Sequence, residues 1–310
     1  MTRRQSWKIA IIGAGKVGTV LGRLLVDRGD RIVCIVSRTA ASARRAGRFL
    51  GCRSISTTLD AIPRDTDLVF VTTPHAAIAG VAEGLAGLVG LRFRGMAVCH
   101  ASGMLTADVL EPVRKRGAKV FSFHPLQTFP RDFPPAAIVE SARGISYGVD
   151  GSRSALVVAR SLARRLGGTI LIVPPDRRDQ YHAACVVASN HLTAMMSVLS
   201  GMFGSLGKSE GDFFPVFEPI IMATLRNIAR RGPAAALSGP VARGGVETVN
   251  GHFLAIRRTT PEFFAYFAAM TLETIRLAIA KGSMNEAQAR QMIGLVLTHV
   301  RDHSHVEEKL

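Results

Sequence analysis

Two histidines carry the plainest chemical potential of the chain: His124, just past an apolar run from Lys119 to Phe123, and His182, near the start of a long helical stretch. Imidazole titrates near neutrality, so either can move a proton to or from a small substrate. Ser189, Asn190 and Thr193 follow His182 at separations of seven, eight and eleven residues, which sets all four on roughly one helical face. Ala183, Ala184, Val186, Val187 and Ala188 lie between them, and a polar stripe in such a setting has the composition of a site wall. It is equally the composition of a buried helix contact, with His182 bonded to a backbone group and Ser189 and Asn190 bonded across helices.

A second constellation lies near the N-terminus, in KIAIIGAGKVGTVLGRLLVDRG. Gly13, Gly15 and Gly18 have GxGxxG spacing, after an apolar run and before Val17, Leu21, Leu24 and Leu25 at helical spacing. A strand, a tight turn and a helix in that order place free N–H groups of the Gly13–Ala14–Gly15–Lys16–Val17–Gly18 turn around a pyrophosphate, with the helix dipole favouring the anion. The next strand, Arg31 to Val36, ends in Ser37, Arg38 and Thr39 instead of the carboxylate that prefers NAD. Two hydroxyls and a guanidinium suit a 2′-phosphate, and NADP(H) is the expected cofactor.

These groups need a frame. Further β-rich runs at Leu68–Thr72, Met96–His100, Lys119–Phe123, Ile145–Val149 and Thr169–Val173 are short and nearly continuous in apolar residues, as strands of a parallel sheet covered on both faces are. After Pro174-Pro175-Asp176 the pattern turns helical, around 179–203, 215–230, 261–281 and 285–300. The expectation is an α/β protein: an N-terminal doubly wound parallel sheet over 1–175 and a C-terminal all-α domain over 176–310. Ligands of such sheets sit beyond the carboxyl ends of the strands. That rule places Thr72, Thr73 and Pro74 beside the nicotinamide ribose, His100 and Ser102 near the ring, and His124 through Gln127 close by.

Composition narrows the classes. The chain has 310 residues, 47% hydrophobic, which excludes disorder and a small disulfide scaffold. Cys34, Cys52, Cys99 and Cys185 are dispersed with no CxxC pair or Cys/His cluster, so neither metal nor disulfide is expected. The net charge of +16 comes from basic residues in ones and twos, with one Trp and three Tyr, and no nucleic-acid partner is expected. No uninterrupted apolar run approaches a membrane span, and Thr2-Arg3-Arg4 precedes too short an apolar stretch for a secretory signal, so no membrane partner and a cytoplasmic location are expected.

With the glycine fingerprint, the CHASG and FHPLQTF turns, YHAACVVASNHLTAM and LSGPVARGGVETVNGHF, the chain resembles a family of Rossmann-type NADP oxidoreductases. Their C-terminal helical domain is similar to those of 6-phosphogluconate dehydrogenase and pyrroline-5-carboxylate reductase. Some relatives resemble alternative-type ketopantoate reductases, and the wider group includes prephenate dehydrogenases. The resemblance implies hydride transfer to or from a small anionic 2-oxo acid or cyclic imine. It also implies His182 and Asn190 as donors to the reacting carbonyl, Ser189 as an orienting group, and His124 and Gln127 on the substrate or carboxamide. Ser238 and Arg243 become candidates for a substrate carboxylate, with Thr248 and His252 behind them. A homodimer through the helical domain is expected. The competing reading is a non-catalytic NADP-binding redox sensor or regulatory protein, which has no need of His124, His182 and Asn190 around one crevice.

Overall fold

The computed structural model describes residues 6–307, with the backbone alone for 304–307; Thr2, Arg3 and Arg4 lie outside the described residues. Two compact units divide after Ser189, within a helical stretch that begins beyond the 175/176 change of character seen in the sequence.

The first unit is built on a six-stranded parallel sheet: β1 (Lys8–Ile12), β2 (Arg31–Val36), β3 (Ile55–Ser56), β4 (Leu68–Val71), β5 (Ala97–His100) and β6 (Lys119–Ser122), in the order β3-β2-β1-β4-β5-β6. The order reverses beside β1, which opens a crevice at the carboxyl ends. Strand β1 shows why its sequence is apolar throughout. Ile9 and Ile11 join one buried cluster with Leu21 and Leu25 of helix α1 (Lys16–Asp27), while Ala10 and Ile12 join a second with Ile78, Ala82 and Leu85 of helix α3 (Ile78–Ala86). Helix α2 (Ala40–Leu50) covers the first face as well, through Ala43, Ala46 and Leu50.

The expectation of one parallel sheet is corrected at its far end. Phe123 leaves β6, and the chain enters a separate three-stranded sheet of β7 (His124–Pro125), β8 (Ser146–Val149) and β9 (Thr169–Ile172), with β7 antiparallel to β8. Buried Tyr147 of β8 stacks on Phe123, with ring centroids 4.2 Å apart. Two short helices, α4 (Glu111–Lys115) and α5 (Pro135–Val139), precede β6 and β8, and the crossover helix α6 (Arg153–Arg165) joins β8 to β9. Strand β9 is an edge with Leu171 and Ile172 exposed.

Helix α7 (Arg178–Val186) closes the first unit and runs into a π-helical segment, Val187–His191, before helix α8 (Leu192–Gly204). The second unit continues with α9 (Phe213–Arg231), α10 (Pro233–Ala236), α11 (Val246–Thr259), α12 (Phe264–Ala280) and α13 (Glu286–Glu307). Its core is Val249, Phe253 and Ile256 of α11 against Phe264, Ala268 and Ile275 of α12 and Met292 and Val296 of α13. By contrast α8 and α9 bury no residue. Pro175–Gly204 and Pro261–Ala280 are long and apolar enough to cross a membrane by length and composition, although neither is an uninterrupted apolar run.

Candidate active site

The three fingerprint glycines answer to three different demands. Gly13 has φ +103° and its N–H donates to the carbonyl of Val36 at 2.8 Å; a Cβ there would lie 2.7 Å from the Thr72 and Thr73 backbone. Gly18 is packed so closely that a Cβ would meet Thr72 Oγ1 at 2.3 Å and the Gly13 carbonyl at 2.7 Å. Gly15, at the N-cap of α1, has nothing within 4 Å of its Cβ position. Two of the glycines are thus required by the protein itself, while the third keeps open the space above the helix start, between Ala14 and Lys16. Thr72 Oγ1 donates to the Gly13 carbonyl at 2.7 Å. Thr73 Oγ1 is buried and has no partner among the described residues. An open helix N-terminus beside an orphaned hydroxyl fits a dinucleotide.

At the end of β2, Thr39 caps α2 by accepting from the Ser42 N–H, and its hydroxyl is 3.0 Å from Ser42 Oγ. Arg45 Nη2 donates to that same Ser42 Oγ at 3.0 Å. Arg38 is exposed and Ser37 half-buried beside them. Arg45 therefore reaches back one turn to Ser42, which links it to the Thr39 hydroxyl, and the 37–45 segment carries guanidiniums and no carboxylate.

An open cleft of ≈ 360 Å³ lies over the strand ends, lined by Val17, Thr72, Thr73, His75, Ala101, Ser102, Gly103, Met104 and His182. Pro74 precedes it and leads into the turn that holds His75. Ser102 organises one wall. Its Oγ accepts from the Met104 and Leu105 N–H groups and lies 3.2 Å from His75 Nδ1.

His100 is fully buried, and both ring nitrogens serve its own turn: Nδ1 accepts from the Ser102 N–H and Nε2 donates to the Thr106 carbonyl. The expectation that its side chain faces the cofactor is replaced by a role in shaping the 100–106 turn. Burial, helped by the Arg178 charge, holds its pKa down to about 4.

His124 occupies the first position of β7, directly opposite Gly148 of β8. Its Nδ1 is 2.7 Å from the Tyr181 hydroxyl, and its ring lies 6.3 Å from that of His182. Burial, then Arg178 and His182, lower its pKa to about 4, so the imidazole is neutral at physiological pH. Gly103 permits this convergence, since a Cβ there would lie 2.6 Å from His182 Cδ2 and 2.9 Å from His124 Nε2. Beneath them Arg178 is buried, its Nη2 donating to the Ser102 carbonyl at 3.0 Å and its Nη1 3.4 Å from Asp150 Oδ2. Asp150 in turn accepts from the Ala107 N–H at 2.7 Å.

The structure therefore brings His124 and His182 together with Ser102, Thr72 and Thr73. Gln127 is held elsewhere: its Nε2 donates to the Ser141 carbonyl at 2.6 Å and its Oε1 accepts from the Thr128 N–H at 2.7 Å. Ser189 donates to the Cys185 carbonyl at 2.9 Å inside the helix. The π segment from 187 to 191 also interrupts the regular 3.6-residue spacing that set His182, Ser189, Asn190 and Thr193 on one face. Asn190 begins the second unit.

Ser238 and Arg243 are exposed in that unit. Ser238 precedes, and Arg243 ends, a 3-10 turn over Val241–Arg243, where the Arg243, Gly244 and Gly245 amides are bonded to the carbonyls of Pro240 and Val241 and so are not free for an anion. Thr248 and His252 are exposed on α11. Tyr181 and Arg178 went unnoticed in the sequence, because what marks them is a partner many residues away.

Residues 2–125 match a Rossmann-like domain model, and residues 145–274 match that of a domain of unknown function, DUF2520. No curated protein matches the chain. Among solved structures, BF3122 of Bacteroides fragilis, provisionally described as an NADP oxidoreductase, shares 22% identity with a TM-score of 0.69, covering 87% of this chain and 98% of its own. Protein TM1727 of Thermotoga maritima gives 22% identity and 0.68, with 88% and 99% covered. A pyrroline-5-carboxylate reductase of Coxiella burnetii gives 15% and 0.57, with 96% and 98% covered. The chain is thus similar to Rossmann-like domains over its first part and to DUF2520 domains over its second.

Proposed function

We propose that the protein is an NADP-dependent oxidoreductase that transfers a hydride to or from a small anionic 2-oxo acid or cyclic imine. The observation that carries this reading is the continuity of two features: the open Gly15 helix start and orphaned Thr73 hydroxyl lead directly into a cleft whose wall holds His75, Ser102 and His182. A nucleotide-binding regulator needs the first feature only. The folds of a pyrroline-5-carboxylate reductase and of an Aspergillus terreus reductive aminase solved with NADPH lend support.

The bound nicotinamide would supply the hydride. The Gly13–Gly18 turn would hold the pyrophosphate, and Thr72 and Thr73 would lie along the ribose side. Ser37, Arg38 and Arg45 would take the 2′-phosphate, Arg38 replacing the usual carboxylate. His182 lines the cleft and His124 packs against Gly103 of its wall, and both are proposed to act on the substrate. No carboxylate lines the cleft, and the +16 chain favours arrival of an anion. Asn190, Ser238 and Arg243 remain proposed contributors to substrate binding, whereas Gln127 and Ser189, bonded to Ser141, Thr128 and Cys185, would have to change partners to take part. The helical unit is proposed to pair with a second copy, and a cytoplasmic location goes with a diffusible substrate.

Titration with NADPH and with NADH by nicotinamide fluorescence, followed by a panel of 2-oxo acids and cyclic imines monitored by loss of nicotinamide absorbance, tests the reading. NADPH bound at least tenfold tighter than NADH, with turnover of one panel member, is expected. Tight binding without turnover across the panel would move the assignment to a sensor, and absence of binding would remove both.

A further inference from the structure

We infer that Tyr181 fixes His124 in the tautomer that carries its proton on Nε2, so that a neutral imidazole presents an N–H donor to the cleft. Within the oxidoreductase reading, on which it rests, this donor would bind the oxygen or nitrogen that gains negative character as the adjoining carbon is reduced. His124 is then a catalytic residue, and Tyr181 a positioning residue that acts through it.

Three features of the fold converge on this pair. The phenol oxygen of Tyr181 lies 2.7 Å from His124 Nδ1, with the two rings edge-on at 89°. The end of the Tyr181 ring is lodged where only glycine leaves room, because a Cβ on Gly148 would come within 2.1 Å of the hydroxyl. Since β7 and β8 pair His124 directly with Gly148, the strand register that places the imidazole also makes the slot for its partner. On the opposite edge of the ring, Nε2 faces the Gly103 backbone at the cleft wall, close enough that a Cβ there would be 2.9 Å away.

The direction of the Tyr181–His124 bond follows from what each partner can give. Burial raises the Tyr181 phenol well above its ordinary range, with the Cys185 thiol one turn on adding to the effect, so the hydroxyl keeps its proton. Burial and the charges of Arg178 and His182 keep His124 neutral, so one ring nitrogen is bare. The hydroxyl also bonds the Cys185 thiol, but a thiol sulfur is a weak acceptor and the bare ring nitrogen a strong one. The hydroxyl therefore donates to Nδ1, and the proton of the neutral ring stands on Nε2. His100 in the neighbouring turn shows the same solution with a different donor, the Ser102 N–H on Nδ1.

The test uses the full-length chain labelled with ¹⁵N-histidine. Long-range correlation from the ring carbon-bound protons separates a protonated from a bare ring nitrogen, with His124→Gln identifying the signal. At pH 7 the His124 ring is expected neutral with Nε2 protonated. In Tyr181→Phe it is expected to become a mixture of tautomers, with kcat on the best panel substrate lowered about 10–100-fold while NADPH affinity stays within about twofold, since Tyr181 is not among the residues lining the cleft over the glycine turn. A wild-type spectrum with Nδ1 protonated, or an imidazolium at pH 7, overturns the inference without any variant having to fold. An unchanged tautomer in a folded Tyr181→Phe protein overturns it also. Failure to bind NADPH would instead bring down the oxidoreductase reading, because the tautomer readout does not depend on cofactor.

Discussion

At Gly15 and Gly18 the same substitution should do opposite things, because one glycine faces open space and the other faces Thr72. Gly18→Ala drives a methyl to 2.3 Å from Thr72 Oγ1 and 2.7 Å from a backbone carbonyl, and should destabilise the fold by about 1–3 kcal/mol in urea denaturation. Gly15→Ala meets nothing within 4 Å and should leave the urea midpoint unchanged while NADPH affinity falls tenfold or more. Equal loss of stability in both would show that Gly15 is held for the turn and not for a ligand. Arg38→Ala should weaken NADPH and spare NADH, read by fluorescence titration; equal effects on the two cofactors would remove the 2′-phosphate role. His100 offers a pH test whose sign is fixed by its pKa of about 4. Between that value and the ordinary value near 6.5 the unfolded chain binds the proton and the native chain does not. The His100 contribution is therefore complete above pH 6.5 and is lost as pH falls to 4, a change of about 3 kcal/mol. The urea midpoint should drop across that window, and His100→Gln should flatten the drop.

Among the elements, the one that assembles the cleft is α7, and it does so from its first turn. Arg178 lies between Asp150, just after β8, and the Ser102 carbonyl after β5, so a single buried guanidinium ties the helix to both sheets. Burial lowers the Arg178 pKa and raises that of Asp150 in spite of their mutual attraction, which shows desolvation outweighing the pair. Such a pair adds little net stability but is costly to break on one side. Arg178→Met should destabilise by about 3–5 kcal/mol in urea unfolding, and Arg178→Met with Asp150→Asn should recover part of it; no recovery would mean that Arg178 acts through packing instead. The legibility of the sequence divides along the same line. The fingerprint and the strands β1, β2 and β4 were readable because glycine spacing and apolar runs are local signals. The runs that form β8 and β9 are readable too, but not their separation into a second sheet, since its third strand, His124–Pro125, is only two residues long and its partner Gly148 is far along the chain. Tyr181 has meaning only through contact with His124, 57 residues away. The Ser189 stripe was drawn on a regular helix that the structure replaces with a π segment.

For the whole molecule, the exposed apolar surface of α8 and α9 demands an occupant. Helix α9 has 19 residues and so runs about 28 Å, yet it buries none of them. Phe214, Val216, Ile220, Met222, Leu225 and Ile228 are all exposed along it. Packing of an apolar face stabilises most helices in proteins, and here the main neighbours of α9 among the described residues are α8, α10 and the turn at Glu210–Asp212. A second copy is the proposed cover: at 100° per residue these positions lie all round the helix, so a symmetric pair would enclose each α9 on more than one face about a two-fold axis. The Arg230-Arg231 pair lies in the last turn of the helix, beyond the apolar positions, so the apolar length can pair without bringing those charges into its middle. Size-exclusion chromatography with light scattering should give twice the 33.2 kDa chain mass at micromolar concentration. Ile220→Glu, which places a charge at the most exposed of these positions (64%), should shift the protein toward monomer and lower its thermal midpoint as the helices lose their cover. A wild-type monomer independent of concentration would sink the pairing, and a chain that stays dispersed only in detergent would assign the same apolar helix to lipid.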